Sequence, residues 1–176
     1  DRAMLAAINP RANYYHCDEV LADIFYTLEW KDGTTGEEVI YSTASNAFFK
    51  GGLTLVRAMA ILKQRGRNKA CLHLAGIDAG SELGRTISAF IVEHHLEQNV
   101  ILLGRVTPQQ IAEEMLHARV YVLPSHMDNS PNSLCEAMLM GMPCIAAHVG
   151  GVPSLVREGV DGLLYHDRDP YVLADR

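Results

Sequence analysis

The chain has 176 residues, 48% of them hydrophobic and 20% charged, a composition typical of a globular domain that excludes an intrinsically disordered chain. Its net charge of -6 argues against a nucleic-acid-binding surface and a polybasic membrane patch. No apolar run approaches the roughly 20 residues of a membrane span, and no charged and then apolar leader opens the chain, so the sequence predicts a cytoplasmic protein.

Short apolar runs alternate with amphipathic segments along most of the chain. The apolar runs have strand length, and residues 51–66 show the 3.6-residue period of a helix that ends at Gly66. In chain order the predicted elements are strand 37–44, helix 51–66, strand 69–76, helix 81–97, strand 99–105, helix 107–118, strand 119–125, helix 131–140, strand 144–149, helix 152–158 and strand 162–166.

This alternation predicts an α/β fold, a Rossmann-like doubly wound parallel sheet of about six strands. Residues 1–36 do not fit the pattern, because they contain scattered aromatics and the loop-like "KDGTTGEE", and we interpret them as a connecting segment. The domain itself is predicted over residues 37–176.

Metal binding is not expected. The four cysteines, Cys17, Cys71, Cys135 and Cys144, form no C-x-x-C pair. Residues 16–19, "HCDE", offer several potential ligands, but no second cluster follows with the spacing of a metal site.

The stretch after strand 119–125 has the features of an anion-binding helix start. Ser130 is the predicted N-cap, Pro131 fits the first helical position, and Asn132 and Ser133 then offer free backbone N–H groups. Such donors, together with the positive end of the helix dipole, bind anions. Glu136 follows about four residues later, roughly 6 Å along the axis, where it could accept hydrogen bonds from a diol such as ribose. The alternative for Glu136 is an ordinary solvated helix residue.

Residues 128–165, "DNSPNSLCEAMLMGMPCIAAHVGGVPSLVREGVDGLLY", resemble the signature region of retaining glycosyltransferases of the GT-B fold, the "group 1" family, also numbered family four. The family pattern is Glu, seven residues, Glu, Ala-Met, a Gly-x-Pro turn, a strand, Gly-Gly and a late Asn-Gly or Asp-Gly. Residues 37–176 can be laid on the C-terminal, donor-binding half of this family. The resemblance implies that an N-terminal acceptor domain is absent from this chain.

The resemblance implies a role for several residues. Glu136 matches the glutamate that holds the ribose of the donor nucleotide, and Asn132 and Ser133 match positions whose backbone amides meet the diphosphate. Lys50, in "FFKGG", matches a lysine that contacts the diphosphate and is therefore a predicted catalytic residue. Its alternative is a surface lysine before a helix. The implied reaction moves a sugar from a nucleoside diphosphate of the UDP or GDP type to an acceptor hydroxyl. It retains the configuration at the anomeric carbon and requires no metal.

Two further loops are candidates for donor binding. Gly104 and Val106, in "LGRV", resemble the loop against which the family rests its nucleobase. His126 follows the end of strand 119–125, where ligands bind in such sheets, although a solvated loop histidine is the alternative. The implied acceptor is a glycan or lipid-linked molecule bound through the missing half, which would also provide peripheral membrane attachment.

The sequence departs from the family pattern at two places. Asp128 stands where the first glutamate of the motif is expected, so the predicted catalytic carboxylate keeps its charge and is one methylene shorter. An arginine usually found five or six residues before the lysine is replaced by Ser45 or Ala44, and Arg105 or the absent half would have to supply that charge. These departures leave a catalytically silent nucleotide-sugar-binding homologue as an alternative.

A dinucleotide-binding dehydrogenase domain is the other alternative, suggested by the architecture and by the glycines of residues 75–84. It is disfavoured, because the loop after the first strand reads "SNAFFKGG" and contains no G-x-G-x-x-G.

Overall fold

The protein contains one sheet of six parallel strands in the order β3-β2-β1-β4-β5-β6. The computed structural model describes residues 2–15, 20–32, 38–166 and 168–176, so the "HCDE" segment lies outside the described residues. The strands are β1 (Glu38–Thr43), β2 (Ala70–Ala75), β3 (Val100–Gly104), β4 (Val120–Leu123), β5 (Cys144–Ala147) and β6 (Leu163–Tyr165). The predicted doubly wound α/β fold with six strands is confirmed.

Helices cover both faces of the sheet, which is why its central strands are largely apolar. The helices are α1 (Arg2–Ile8), α2 (Ile24–Thr27), α3 (Gly52–Gln64), α4 (Glu82–Glu93), α5 (Pro108–His117), α6 (Asn132–Leu139) and α7 (Pro170–Ala174). Helices α3, α4 and α7 pack into one core cluster, and α2, α5 and α6 pack into the other. Within the described ranges, no helix is long and apolar enough to cross a membrane.

Two of the predicted helices are shorter than expected. Helix α4 ends at Glu93 instead of residue 97, because His95 takes a left-handed conformation with φ 55°. The helix predicted over 152–158 is wrong, since only a 3-10 turn forms at Val152–Ser154. The following residues instead turn toward β6, where Arg157 pairs with Asp161 at 2.6 Å.

Residues 20–32 pack against the α5 and α6 face of the sheet without joining a strand. Phe25 of α2 is buried, and Trp30 donates from its indole nitrogen to the Ala118 carbonyl at 2.8 Å. The Trp30 amide also donates to the Met140 carbonyl at 2.8 Å, just beyond the end of α6. These contacts attach the segment before β1 to the two elements that follow β3 and β4.

Candidate functional site

Two loops meet at the carboxyl ends of the neighbouring strands β1 and β4. The connections from these strands run to opposite sides of the sheet, and such a switch point is where ligands bind in open α/β folds. The His126 amide of one loop donates to the Phe49 carbonyl of the other at 2.7 Å. Gly51 permits this approach, because it has φ 73° and a Cβ there would stand 1.8 Å from the Pro124 carbonyl oxygen.

Lys50 and Asp128, the two predicted catalytic residues, form an ion pair across these loops. Lys50 Nζ lies 2.8 Å from Asp128 Oδ2, and the Ser125 hydroxyl donates to the same oxygen at 3.1 Å. The Asp128 side chain is 9% exposed and that of Lys50 is 33% exposed. The carboxylate is therefore fixed in place by two donors, while the ammonium keeps a face open to a ligand.

The start of α6 presents unpaired backbone donors, as the sequence predicted. The prediction that Ser130 is the N-cap is wrong, because Pro131 is extended and occupies the cap, with its carbonyl accepting from Leu134 at 3.0 Å. Proline has no side-chain acceptor. Among the described residues, the amides of Asn132 and Ser133 consequently have no hydrogen-bond acceptor, which leaves them available to an anion.

A chain of hydroxyl groups that the sequence analysis missed holds this helix start in place. The Tyr121 hydroxyl donates to Ser133 Oγ at 2.7 Å and lies 3.0 Å from Thr43 Oγ1. Tyr121 is on β4 and Thr43 is the last residue of β1, so the first turn of α6 is bonded to both central strands. The alternation of polar and apolar residues gives no signal for this network, because all of Tyr121 is buried.

Glu136 lies one helical turn beyond the free amides and is half-buried. Its carboxylate has no hydrogen bond or ion pair with any residue that the structure describes. Burial raises the pKa of Glu136 above its usual value, because removing a carboxylate from water disfavours its charged form. An unpartnered carboxylate in this position has unused capacity to accept hydrogen bonds.

The remaining predicted residues lie on either side of this centre. Gly104 ends β3 with φ 66° and open space where a Cβ would stand, and Val106 packs against the core. The His126 ring contacts α3, where its Nε2 lies 2.9 Å from Thr54 Oγ1. Burial, and then the charge of Arg168, lowers the pKa of His126 below its usual value.

The backbone of Gly150 and Gly151 packs closely against the backbone of the Asp128 loop. A Cβ on Gly150 would stand 2.0 Å from the Asp128 carbonyl oxygen, and one on Gly151 would stand 1.9 Å from that of Asn129. The Gly151 amide donates to the Asp128 carbonyl at 3.1 Å. The Gly-Gly pair was noted in the sequence as part of the motif, and its physical role is this close approach of two backbones.

The sequence pattern of the family described as "Glycosyl transferases group 1" matches residues 37–176, which include every residue of the site. The chain belongs to this family. The resemblance seen in residues 128–165 is thereby confirmed at the level of the group 1 glycosyltransferases.

Named members of the family are similar over most of this group 1 chain. It is 32% identical to D-inositol 3-phosphate glycosyltransferase of Corynebacterium efficiens, over 72% of the chain and 30% of that protein. It is 29% identical to the amylovoran biosynthesis glycosyltransferase AmsK of Erwinia amylovora, over 85% of the chain and 37% of that protein. The chain therefore spans about a third of the length of the curated relatives it matches.

Solved structures share the sheet of this group 1 chain. Sucrose-phosphate synthase of Thermosynechococcus elongatus superposes with a TM-score of 0.71 at 30% identity, covering 80% of the chain and 35% of that protein. The Anabaena protein HepE, solved with UDP and glucose, superposes with a TM-score of 0.70 at 26% identity, covering 81% of the chain and 38% of that protein. These matches confirm the Rossmann-like α/β fold, which the chain shares with glycosyltransferase structures of the GT-B fold.

Proposed function

We propose that this chain is the donor-binding half of a retaining glycosyltransferase, which moves a sugar from a nucleoside diphosphate to an acceptor hydroxyl in glycan biosynthesis. The observation that carries the proposal is the combination of groups at one edge of the sheet. The loop after β1 supplies the Lys50 ammonium. The start of α6 supplies the unpaired amides of Asn132 and Ser133, and the unpartnered Glu136 carboxylate follows one helical turn later.

These groups match the successive parts of a nucleotide sugar. The diphosphate would lie between Lys50 and the α6 amides, and the ribose hydroxyls would donate to Glu136 about one turn, roughly 5 to 6 Å, further along the helix. The base would then rest near Gly104 at the end of β3 and Val106 just after it, and β3 is two strands from β1, or roughly 10 Å at normal strand spacing. We propose UDP as the nucleotide, because the HepE structures hold UDP and UDP-glucose.

The proposed chemistry is stabilisation of a leaving group. When the bond between the anomeric carbon and the diphosphate breaks, the diphosphate takes the electron pair, and negative charge builds next to Lys50 and the helix amides. Donors fixed before the reaction are usually the largest single contribution to catalysis. Asp128 would face the donor sugar and stabilise positive charge near the reacting carbon. In this proposal no metal is needed, because the ammonium and the helix start supply the positive charge.

Acceptor selection is assigned mainly to a part of the protein outside this chain. The relatives are about three times as long as the matched region, and the acceptor would bind across the cleft from the donor half. A glycan or lipid-linked acceptor, a cytoplasmic location and peripheral membrane attachment through the other half remain predictions from the sequence and its resemblance.

Calorimetric titration of this chain with UDP, GDP and ADP tests the proposal directly. We expect saturable binding of UDP that is about ten- to a hundredfold weaker in Glu136→Ala, since hydrogen bonds to a charged group are lost. Because burial raises the pKa of Glu136, UDP affinity should also fall as the pH drops through that pKa, and this dependence should be smaller in Glu136→Ala.

Glu93→Ala is the matched control, because Glu93 is exposed at the last residue of α4, at the opposite edge of the sheet. A folded chain that binds none of the three nucleotides, or a Glu136→Ala variant that binds UDP like the wild type, would contradict the proposed donor site.

Asp128→Glu in the full-length protein distinguishes a working enzyme from a silent homologue. The silent alternative is favoured by one observation: Asp128 is both shorter than the family glutamate and already paired with Lys50. We expect Asp128→Glu to retain sugar transfer within about tenfold of the wild type and Asp128→Asn to lose about a hundredfold or more. Transfer below detection in the wild type and in Asp128→Glu, with intact UDP binding, would establish the silent homologue.

A further inference from the structure

A separate cleft lies on the α3 side of the two loops, and it contains positive charge that no described residue pairs. The cleft has a volume of about 340 Å³, and none of the groups assigned above to donor binding lines it except His126. Its lining residues are Phe48, Phe49, Leu53, Thr54, Arg57, His126, Met127 and Arg168.

The charged groups of the cleft are two arginines from different elements. Arg57 extends from the second turn of α3, and Arg168 lies in the loop between β6 and α7. Both are exposed, and neither has an ion pair or hydrogen bond to any residue in the described ranges. Asp169, next to Arg168 in the chain, forms no ion pair with either arginine in the described ranges, and its carboxylate accepts from the Tyr171 amide at 2.7 Å. The described residues that line the cleft include both arginines and no carboxylate.

Polar and apolar groups complete the lining. The Thr54 hydroxyl and the His126 ring form a hydrogen bond of 2.9 Å, which joins α3 to the loop after β4 within the lining. Phe48 and Phe49 are each 50% exposed and Met127 is 66% exposed, so the rim is apolar. The lowered pKa of His126 keeps its ring uncharged near neutral pH, and the positive charge of the cleft is therefore that of the arginines.

We propose that this cleft binds the phosphate group of a second ligand, an organic phosphate with an apolar or aromatic moiety beside it. Guanidinium groups bind phosphate oxygens through paired N–H donors, and two of them facing one cavity match a phosphate better than a carboxylate of lower charge. The apolar rim would contact the rest of the molecule. A free phosphorylated compound and a lipid headgroup present the same chemistry.

The cleft adjoins the proposed reaction centre, which gives the second ligand a role. The Phe49 ring lines the cleft and has its centroid 6.0 Å from Lys50 Nζ, and the His126 amide is bonded to the Phe49 carbonyl. A phosphate held by Arg57 and Arg168 would thus place its attached group beside the donor sugar. This role as an acceptor anchor rests on the proposed function, whereas the anion site itself does not.

Titration of the chain with inorganic phosphate and with phenyl phosphate, in saturating UDP, tests the site. We expect phenyl phosphate to bind more tightly than inorganic phosphate, and Arg57→Gln/Arg168→Gln to weaken both by about tenfold or more, with UDP binding unchanged. Arg67→Gln/Lys69→Gln is the matched control, since it also removes two positive charges, from exposed positions between α3 and β2 at the opposite edge of the sheet.

Flotation with vesicles identifies the source of the phosphate. Binding to phosphatidylglycerol vesicles, but not to phosphatidylcholine vesicles, that is lost in the double variant would identify a lipid headgroup. Binding of phenyl phosphate without vesicle binding would identify a soluble phosphate. Equal phosphate affinity in the wild type and the double variant, or phosphate binding lost in Lys50→Met instead, would overturn the inference. If UDP fails to bind while arginine-dependent phosphate binding persists, the proposed donor site fails and the cleft site stands.

Discussion

Lys50→Met in the full-length protein is expected to lower the rate of sugar transfer by about two to three orders of magnitude, with a smaller loss of donor affinity. Lys50 is the one described cation in contact with Asp128, and its side chain is 33% exposed. In the proposed site a diphosphate would lie between it and the amides of Asn132 and Ser133. The charge that it would neutralise develops fully only when the diphosphate leaves. Its removal should therefore raise the energy of the transition state more than that of the bound donor.

Two matched variants make this result interpretable. Lys69→Met removes the same charge at an exposed position just before β2, at the opposite edge of the sheet, and should transfer sugar at the wild-type rate. Lys50→Arg keeps the positive charge on a side chain of different shape, and it should recover part of the lost rate of sugar transfer. Since Lys50→Met leaves Asp128 without its ion pair, thermal unfolding must show that the variant is folded. A folded Lys50→Met enzyme within about threefold of the wild-type rate would contradict the assigned role.

The fold could be predicted because each element carries its own periodic signal. Every predicted strand was found, since a strand covered on both faces is apolar along most of its length. The prediction failed for the helix at 152–158, where tertiary contacts decide the outcome. There the Arg157 and Asp161 side chains pair, and Glu158 and Gly162 form a bridge that turns the backbone toward β6.

The site was only partly accessible from the sequence, for a physical reason. Free helix amides follow from chain position, so Asn132 and Ser133 could be proposed before any coordinates. Lys50 and Asp128 are 78 residues apart in the chain and meet because β1 and β4 are neighbours in the sheet. No local sequence pattern predicts which strands are neighbours. The hydroxyl chain from Thr43 through Tyr121 is likewise a product of packing. Ser130 was assigned as the cap because its side chain could accept a bond, while the extended backbone of Pro131 moved the cap by one residue.

Gly51→Ala is expected to cost more than about 4 kcal/mol of unfolding free energy or to prevent folding, a loss that single substitutions rarely reach. Two effects add at this position. The residue has φ 73°, a left-handed conformation that costs a residue with a Cβ about 1–2 kcal/mol. The new Cβ would also stand 1.8 Å from the Pro124 carbonyl oxygen, a backbone atom that cannot move without separating β4 from the loop after β1.

Gly66→Ala separates these two effects, because Gly66 has φ 83° and nothing within 4 Å of where its Cβ would stand. Urea unfolding should show a loss of about 1–2 kcal/mol for Gly66→Ala, which reports the conformational cost alone. The additional loss of unfolding free energy in Gly51→Ala then measures the cost of disturbing the contact between the two loops. Where Gly51→Ala remains folded, the loops must have separated, and UDP binding should be lost together with the Lys50 contact to Asp128. Equal losses in the two variants would show that the loops are not held in the close approach on which the proposed donor site depends.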